Sequence, residues 1–204
     1  MFKEEGMYSH ETVKKILETA IDSLVDNFAR EPYIHRCEHS IHCELYNMLI
    51  VHRALQGLQP LKNEGRRTAL IHKEWPETKP SPGKKGRGNF DLAILDPGKI
   101  KNCELIAFTK GLIRPAFVVE MGLNYGLSHL QNDNRKLYNS ECKDGYLVHL
   151  WQPHKGISNI DVDELSNWIE VKEPKHGVAA VLFRKGGAAM VKHLHDQNFA
   201  NISK

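Results

Sequence analysis

Apolar residues recur every three to four positions over residues 9–30, which is the period of an α-helix with one buried face. Ser9 can cap the amino end of this helix, and Pro32 follows its carboxyl end. A second segment with the helical period covers residues 40–56, and Ser40 is placed to cap it. The pattern therefore predicts that the chain begins with two helices.

Beyond residue 67, short apolar runs bounded by turn residues replace the helical period, and they predict strands. The predicted strands are 68–75, 89–95, 115–121, 146–151 and 178–184, and the predicted later helices are 126–140, 161–170 and the tail from residue 188. Strands that first follow one another and then alternate with helices are typical of a mixed central β-sheet flanked by helices. We therefore expect one α/β domain over residues 1–204.

The composition agrees with a globular domain, since 41% of the 204 residues are hydrophobic and 26% are charged. No apolar stretch is long enough to span a membrane, and residues 1–11 lack the apolar core of a secretory signal. Four cysteines are present without a CxxC pair, which favours reduced thiols. We expect a cytoplasmic protein with no membrane partner.

The net charge of +3 permits nucleic-acid binding without requiring it. The loop over residues 79–88 is more informative, because it is rich in basic residues and directly precedes Asp91. Its basic residues are Lys79, Lys84, Lys85 and Arg87. Such side chains bind phosphates without reading a base sequence. We predict that the loop binds nucleic acid; a solvated loop with no ligand is the alternative.

Three acidic residues, Glu44, Asp91 and Glu120, stand beside apolar residues. A carboxylate next to a core costs free energy unless it is paired, hydrogen-bonded or bound to a metal. Two carboxylates on adjacent strands, with a third from a packed helix, form an oxygen-rich site of the kind that binds Mg²⁺ or Mn²⁺. Each of the three alone is typical of an ordinary surface residue, so the prediction depends on their combination.

The order of these residues resembles the core of the PD-(D/E)XK, or restriction-endonuclease-like, nuclease superfamily. The matching stretches are HCELYNML with Glu44, GRGNFDLAIL with Asp91 and FVVEMG with Glu120, and the resemblance covers about residues 38–152. It implies a restriction-endonuclease-like core with an extra N-terminal helix and C-terminal additions. It also implies a Mg²⁺- or Mn²⁺-dependent endonuclease that hydrolyses phosphodiester bonds, with DNA as the expected substrate. Asp91, Glu120 and Glu44 would hold the metal, and the backbone carbonyl of Met121 would be a further ligand.

One position departs from the superfamily pattern, because Gly122 stands where the motif has a lysine. That lysine would orient the attacking water and stabilise charge on the phosphate. Lys136, on the following helix, is the candidate to replace it, and Asn124 and Asp133 are further polar candidates. Lys73 and Glu74, late in the first predicted strand, are also candidates. The departure equally supports an alternative, a nuclease-fold protein without catalysis that binds nucleic acid or serves as an assembly module.

The segment HRCEHSIHC over residues 35–43 supports a third interpretation, a zinc-stabilised interaction domain. His35 and His39 are four residues apart, as are His39 and Cys43, so either pair can share a helix face. The spacing matches no established zinc motif. The sequence leaves open whether this segment binds zinc, whether the substrate is DNA or RNA, and whether the chain forms a homodimer.

Overall fold

The computed structural model describes residues 8–63, 65–80, 83, 85–153, 159–171, 176–185 and 188–202. Its helices are α1 (His10–Arg30), α2 (Glu38–Ile50), α3 (Pro97–Lys101), α4 (Leu105–Thr109), α5 (Leu127–Asn139) and α6 (Asn159–Val171). Its strands are β1 (Gln59–Pro60), β2 (Arg67–Thr68), β3 (Ile71–Pro76), β4 (Asn89–Ile94), β5 (Phe117–Leu123), β6 (Asp144–Leu150), β7 (Gly177–Phe183), β8 (Ala189–Lys192) and β9 (Ala200–Ile202).

The first helix begins where its cap predicts, because the Ser9 side chain accepts a hydrogen bond from the backbone N–H of Thr12. The second helix differs from the prediction at both ends. It begins at Glu38 with Cys37 as its N-cap, and the Ser40 hydroxyl donates a 2.6 Å hydrogen bond back to the Cys37 carbonyl. It ends at Ile50, and a short 3-10 turn over Arg53–Leu55 follows it.

Strands β3 to β9 form one seven-stranded sheet in which the strand order follows the chain order. The pairs β5–β6 and β6–β7 are parallel, and the other pairs are antiparallel. Parallel neighbours need a long crossover, which α5 and α6 supply. The structure thus confirms an α/β fold with a mixed central sheet and flanking helices. Every residue of β5 is buried, as expected of a central strand.

The prediction of a helix from residue 188 is wrong, because that segment forms the antiparallel strands β8 and β9. Strand β8 pairs with the edge of β7 and satisfies backbone groups that would otherwise stay open there. A hydrogen bond stabilises the connection between the two strands, because the Asp196 carboxylate accepts a hydrogen bond from the backbone N–H of His193 at 3.0 Å. An apolar run beside an open sheet edge therefore becomes a strand.

Two helices cover opposite faces of the central sheet. His10 of α1 stacks on Phe117 at a ring-centroid distance of 4.5 Å, whereas Lys136 of α5 contacts Glu120. Positions 117 and 120 are an odd number of residues apart on β5, so their side chains point to opposite faces. The carboxylate of Glu120 therefore lies on the α5 side.

None of the helices in the described part of the chain is both long enough and apolar enough to cross a lipid bilayer.

Candidate metal centre

Asp91 and Glu120 face each other across the antiparallel strands β4 and β5. Leu92 stands opposite Val119, so one position further along Asp91 stands opposite Glu120 and points to the same face. The backbone N–H of Met121 donates a 2.6 Å hydrogen bond to Asp91 Oδ2 and holds this carboxylate against β5. The structure thus brings together the two strand carboxylates on which the predicted metal site depends.

Glu120 is fully buried, and its charge is only partly compensated. Burial raises the pKa of its carboxyl group well above the usual range, and the neighbouring charge of Asp91 raises it further. Its Oε2 accepts a hydrogen bond from Lys136, while its Oε1 has no hydrogen-bond partner among the residues described. A buried carboxylate in this condition favours binding a cation or a proton.

Asp91 shows the same shortage of positive charge. Burial raises the pKa of its carboxyl group to about 6, even though the Met121 N–H and the charges of His42 and Lys136 act in the opposite direction. Folding therefore places two buried carboxyl groups, Asp91 and Glu120, beside one lysine, and the environment of each disfavours its negative charge. A divalent cation bound there would supply the missing charge.

Lys136 projects from α5 toward Glu120, as the sequence suggested for a substitute lysine. Its Nζ lies 2.8 Å from Glu120 Oε2 and 3.3 Å from Asp133 Oδ1. Positions 133 and 136 lie on one face of the helix because they are three residues apart. Burial opposes the charged form of Lys136, but the charges of Glu120 and Asp133 outweigh it and raise its pKa. Lys136 therefore stays a cation beside Glu120.

A side chain at Gly122, where the superfamily motif has a lysine, would be crowded by its neighbours. It pairs with His149 of β6, and a Cβ on Gly122 would lie 3.1 Å from His149 Nδ1 and 3.5 Å from Tyr125 Cδ2. His149 is itself buried, and burial lowers its pKa to about 4, so the ring is neutral. The histidine side chain takes up the space beside the motif position, and a lysine can approach the carboxylates from α5 instead.

The structure places the Glu44 side chain among residues from the preceding helix and loop. Its Oε1 accepts a hydrogen bond from Asn27 Nδ2 at 3.2 Å, and its Oε2 lies 2.6 Å from His35 Nε2. Glu38 and His42 are the residues of α2 that approach Asp91. Glu44 is six residues beyond Glu38, which turns it about 240° around the helix axis. Of these two acidic residues of α2, Glu38 is therefore the one whose carboxylate lies near Asp91.

Glu38, His42 and Asp91 form a compact ligand group. His42 Nε2 lies 3.5 Å from Glu38 Oε1 and 3.8 Å from Asp91 Oδ2, and one ligand atom from each residue falls within 4.8 Å of the others. Burial opposes ionisation of Glu38, but contacts from His42 and Tyr125 outweigh it and lower its pKa. The group can therefore present two carboxylates and one imidazole to a metal ion.

The rim of the site carries an aromatic pair that sequence reasoning missed. The Tyr125 and His129 rings stack at a centroid distance of 3.9 Å, and an interaction with Glu38 raises the pKa of Tyr125. His129 Nε2 lies 3.0 Å from Asp133 Oδ2, and this contact raises the pKa of His129. The four-residue spacing of His129 and Asp133 puts both side chains on one face of the helix, and this is the sequence pattern that could have indicated their contact.

Asn124, which the sequence suggested as a further polar residue of the site, instead forms hydrogen bonds with Gln152.

The predicted phosphate-binding loop has a mixed character. Lys79 Nζ pairs with Glu141 Oε1 at 2.9 Å. The Arg87 guanidinium donates hydrogen bonds to the backbone carbonyls of Glu77, Lys110 and Gly111. It therefore connects two segments of the chain. Lys85 is exposed, and Lys84 lies outside the described residues. Lys79 and Lys85 are both exposed, but Lys79 is paired with Glu141, so Lys85 is the described lysine of the loop that better suits a contact with phosphate.

No family model, curated protein or solved structure matches the chain. Its function is therefore inferred from the site itself. That site combines the carboxylates Asp91 and Glu120 on the adjacent strands β4 and β5, the cation Lys136 from α5, and the α2 residues Glu38 and His42.

Proposed function

We propose that the chain is a metal-dependent nuclease that hydrolyses phosphodiester bonds, with DNA as the expected substrate. The observation that carries this proposal is the convergence of Asp91, Glu120 and Lys136 on one face of the sheet. Carboxylate oxygens with a deficit of positive charge suit Mg²⁺ or Mn²⁺, and a lysine beside them suits a phosphate.

The proposal includes a restriction-endonuclease-like core, and the order of elements supports it. Helix α2 precedes the antiparallel strands β3, β4 and β5, and α5 then leads to β6, which is parallel to β5. This is the order that the sequence resemblance implies for the superfamily. Helix α1 and strands β7 to β9 would be additions to that core.

Asp91 and Glu120 would hold the divalent ion, and Glu38 is placed to complete the carboxylate set from α2. Such an ion lowers the pKa of a bound water and offsets the charge of the scissile phosphate. Lys136 holds its positive charge at Glu120 and can donate a hydrogen bond to an incoming phosphate oxygen. The Met121 N–H fixes the Asp91 carboxylate, while the Met121 carbonyl remains a predicted ligand.

A second function, nucleic-acid binding without cleavage, is favoured by one specific observation. Lys136 already pairs with two carboxylates, Glu120 and Asp133. Its role can therefore be to stabilise the fold, without any part in catalysis. In that case the motif position Gly122 has lost its lysine without a functional replacement. The two functions differ in whether any divalent metal supports hydrolysis.

The test is a cleavage assay with supercoiled plasmid, linear duplex, single-stranded DNA and RNA, each in Mg²⁺ and in Mn²⁺. We expect the wild type to cleave DNA and Asp91→Asn to lose about 10²-fold or more in rate, the scale for removing one electrostatic stabiliser. Glu44→Gln is the matched control, because its carboxylate lies with Asn27 and His35. Cleavage by Asp91→Asn at the wild-type rate would refute the proposed metal site. Absence of any wild-type cleavage, together with DNA binding, would favour the second function.

A further inference from the structure

A second group of metal-ligand atoms lies beside the first. It consists of His39 and His42 on α2 and Glu74 on β3, and one ligand atom from each falls within 4.8 Å of the others. His39 and His42 are three residues apart on the helix, which directs both rings to the same side. Their ring centroids are 5.5 Å apart, with an interplanar angle of 83°. The group therefore spans from α2 to the edge strand of the sheet.

His42 is the residue that indicates a ligand. Its side chain is 1% exposed, and neither ring nitrogen makes a hydrogen bond within the described ranges of the chain, although Nε2 lies 3.5 Å from Glu38 Oε1 and 3.8 Å from Asp91 Oδ2. A buried polar group without a hydrogen-bond partner lowers the stability of the folded state. A bound metal ion would satisfy one nitrogen directly. His39 and Glu74 are exposed, so an ion can reach the group from solvent.

Glu74 has an unusual backbone for this position. Lys73 pairs with Leu92 and Trp75 pairs with Phe90, and between them Glu74 adopts a φ of 53°. A non-glycine residue in this left-handed region is uncommon inside a strand. The turn of the backbone accompanies the placement of the Glu74 carboxylate near the two histidines of α2.

We propose that His39, His42 and Glu74 bind one Zn²⁺ ion. Two imidazole nitrogens and one carboxylate oxygen form a donor set that Zn²⁺ accepts, with a fourth position left for water. Mg²⁺ prefers oxygen ligands in an octahedral arrangement, so the donor chemistry distinguishes this ion from one held by Asp91 and Glu120. The ion would tie α2 to β3 and so hold the helix that carries Glu38.

The experiment is a Zn²⁺ titration of the full chain in competition with a chromophoric chelator. We expect the wild type to bind one ion, and His39→Asn and Glu74→Asn each to weaken binding by about 10-fold or more. Asparagine tolerates the left-handed backbone at position 74, so Glu74→Asn should fold. His52→Asn is the matched control, since His52 is an exposed histidine just beyond α2, and it should bind Zn²⁺ as the wild type does.

Asp91→Asn locates the ion relative to the first ligand group. It should still bind one Zn²⁺ ion if the ion lies at His39, His42 and Glu74, because Asp91 does not belong to that ligand group. The inference is overturned if the wild type takes up no Zn²⁺, or if His39→Asn and Glu74→Asn bind as tightly as the wild type. It is also overturned if Asp91→Asn alone abolishes binding, because the ion then lies at Glu38, His42 and Asp91. Binding is read without cleavage, so failure of the proposed nuclease activity leaves this test intact.

Discussion

Replacing Asp91 by asparagine should stabilise the metal-free protein at neutral pH. The pKa of Asp91 rises from its ordinary 3.8 to about 6 on folding, so the folded state holds the proton more tightly than the unfolded state. The resulting stabilisation is complete below about pH 4 and is lost as the pH rises through about 6. Asparagine cannot ionise, and its side-chain oxygen can still accept the Met121 N–H.

The size of the effect follows from the pKa shift. A pKa that rises from 3.8 to about 6 on folding corresponds to about 3 kcal/mol of unfolding free energy, because each tenfold change in proton affinity is worth about 1.36 kcal/mol. For a chain of this length, about 3 kcal/mol raises Tm by about 6–12 °C. The variant should therefore melt well above the metal-free wild type at about pH 7.5, and the two should converge at about pH 4.

A divalent metal ion should remove this difference in Tm between the wild type and Asp91→Asn. Mg²⁺ or Mn²⁺ at about 100 times its Kd adds about 2.7 kcal/mol to the stability of the wild type. It should add nothing comparable to Asp91→Asn, which lacks the ligand charge. The assay is thermal unfolding by circular dichroism with chelator or metal at each pH, with Glu44→Gln as control. If the wild type were more stable than Asp91→Asn in chelator at neutral pH, the negative charge of Asp91 would not destabilise the metal-free fold. Equal stabilisation of both proteins by metal would show that Asp91 is not a ligand.

Three further predictions concern the same site and its surroundings. Lys136→Met should lower the cleavage rate by about 10²-fold while metal-induced stabilisation persists, and an unchanged rate would exclude Lys136 from the reaction. Gly122→Lys should destabilise the fold by about 1–3 kcal/mol in chemical denaturation, because its Cβ meets His149, and it should not rescue Lys136→Met. If Gly122→Lys restored cleavage to Lys136→Met, a lysine at position 122 could reach the reacting phosphate after all. Lys85→Ala should flatten the salt dependence of DNA binding without changing Tm, whereas Arg87→Ala should lower Tm because its guanidinium bridges backbone carbonyls. The reverse pattern in binding and melting measurements would show that Arg87 contacts phosphate.

The features that could be predicted from the sequence depend on local pattern. The first helix follows from an unbroken apolar period and from Ser9, whose side chain caps it within one turn. Strand β5 follows from a continuous apolar run, and Asp91 and Glu120 follow from their places at the ends of such runs. Lys136 could be proposed because a helix after a central strand packs back on the sheet, and its Nζ lies 2.8 Å from Glu120.

The features that only the tertiary structure decided depend on partners far away in the chain. The choice between Glu38 and Glu44 is set by the face of α2 that packs toward Asp91, and the modest apolar contrast around α2 left that face undetermined. The crowding at Gly122 comes from His149, a residue of the neighbouring parallel strand. The C-terminal segment is a hairpin because the open edge of β7 offers backbone hydrogen bonds to it. Local periodicity identifies which segments are helices or strands, but packing determines which of their side chains meet.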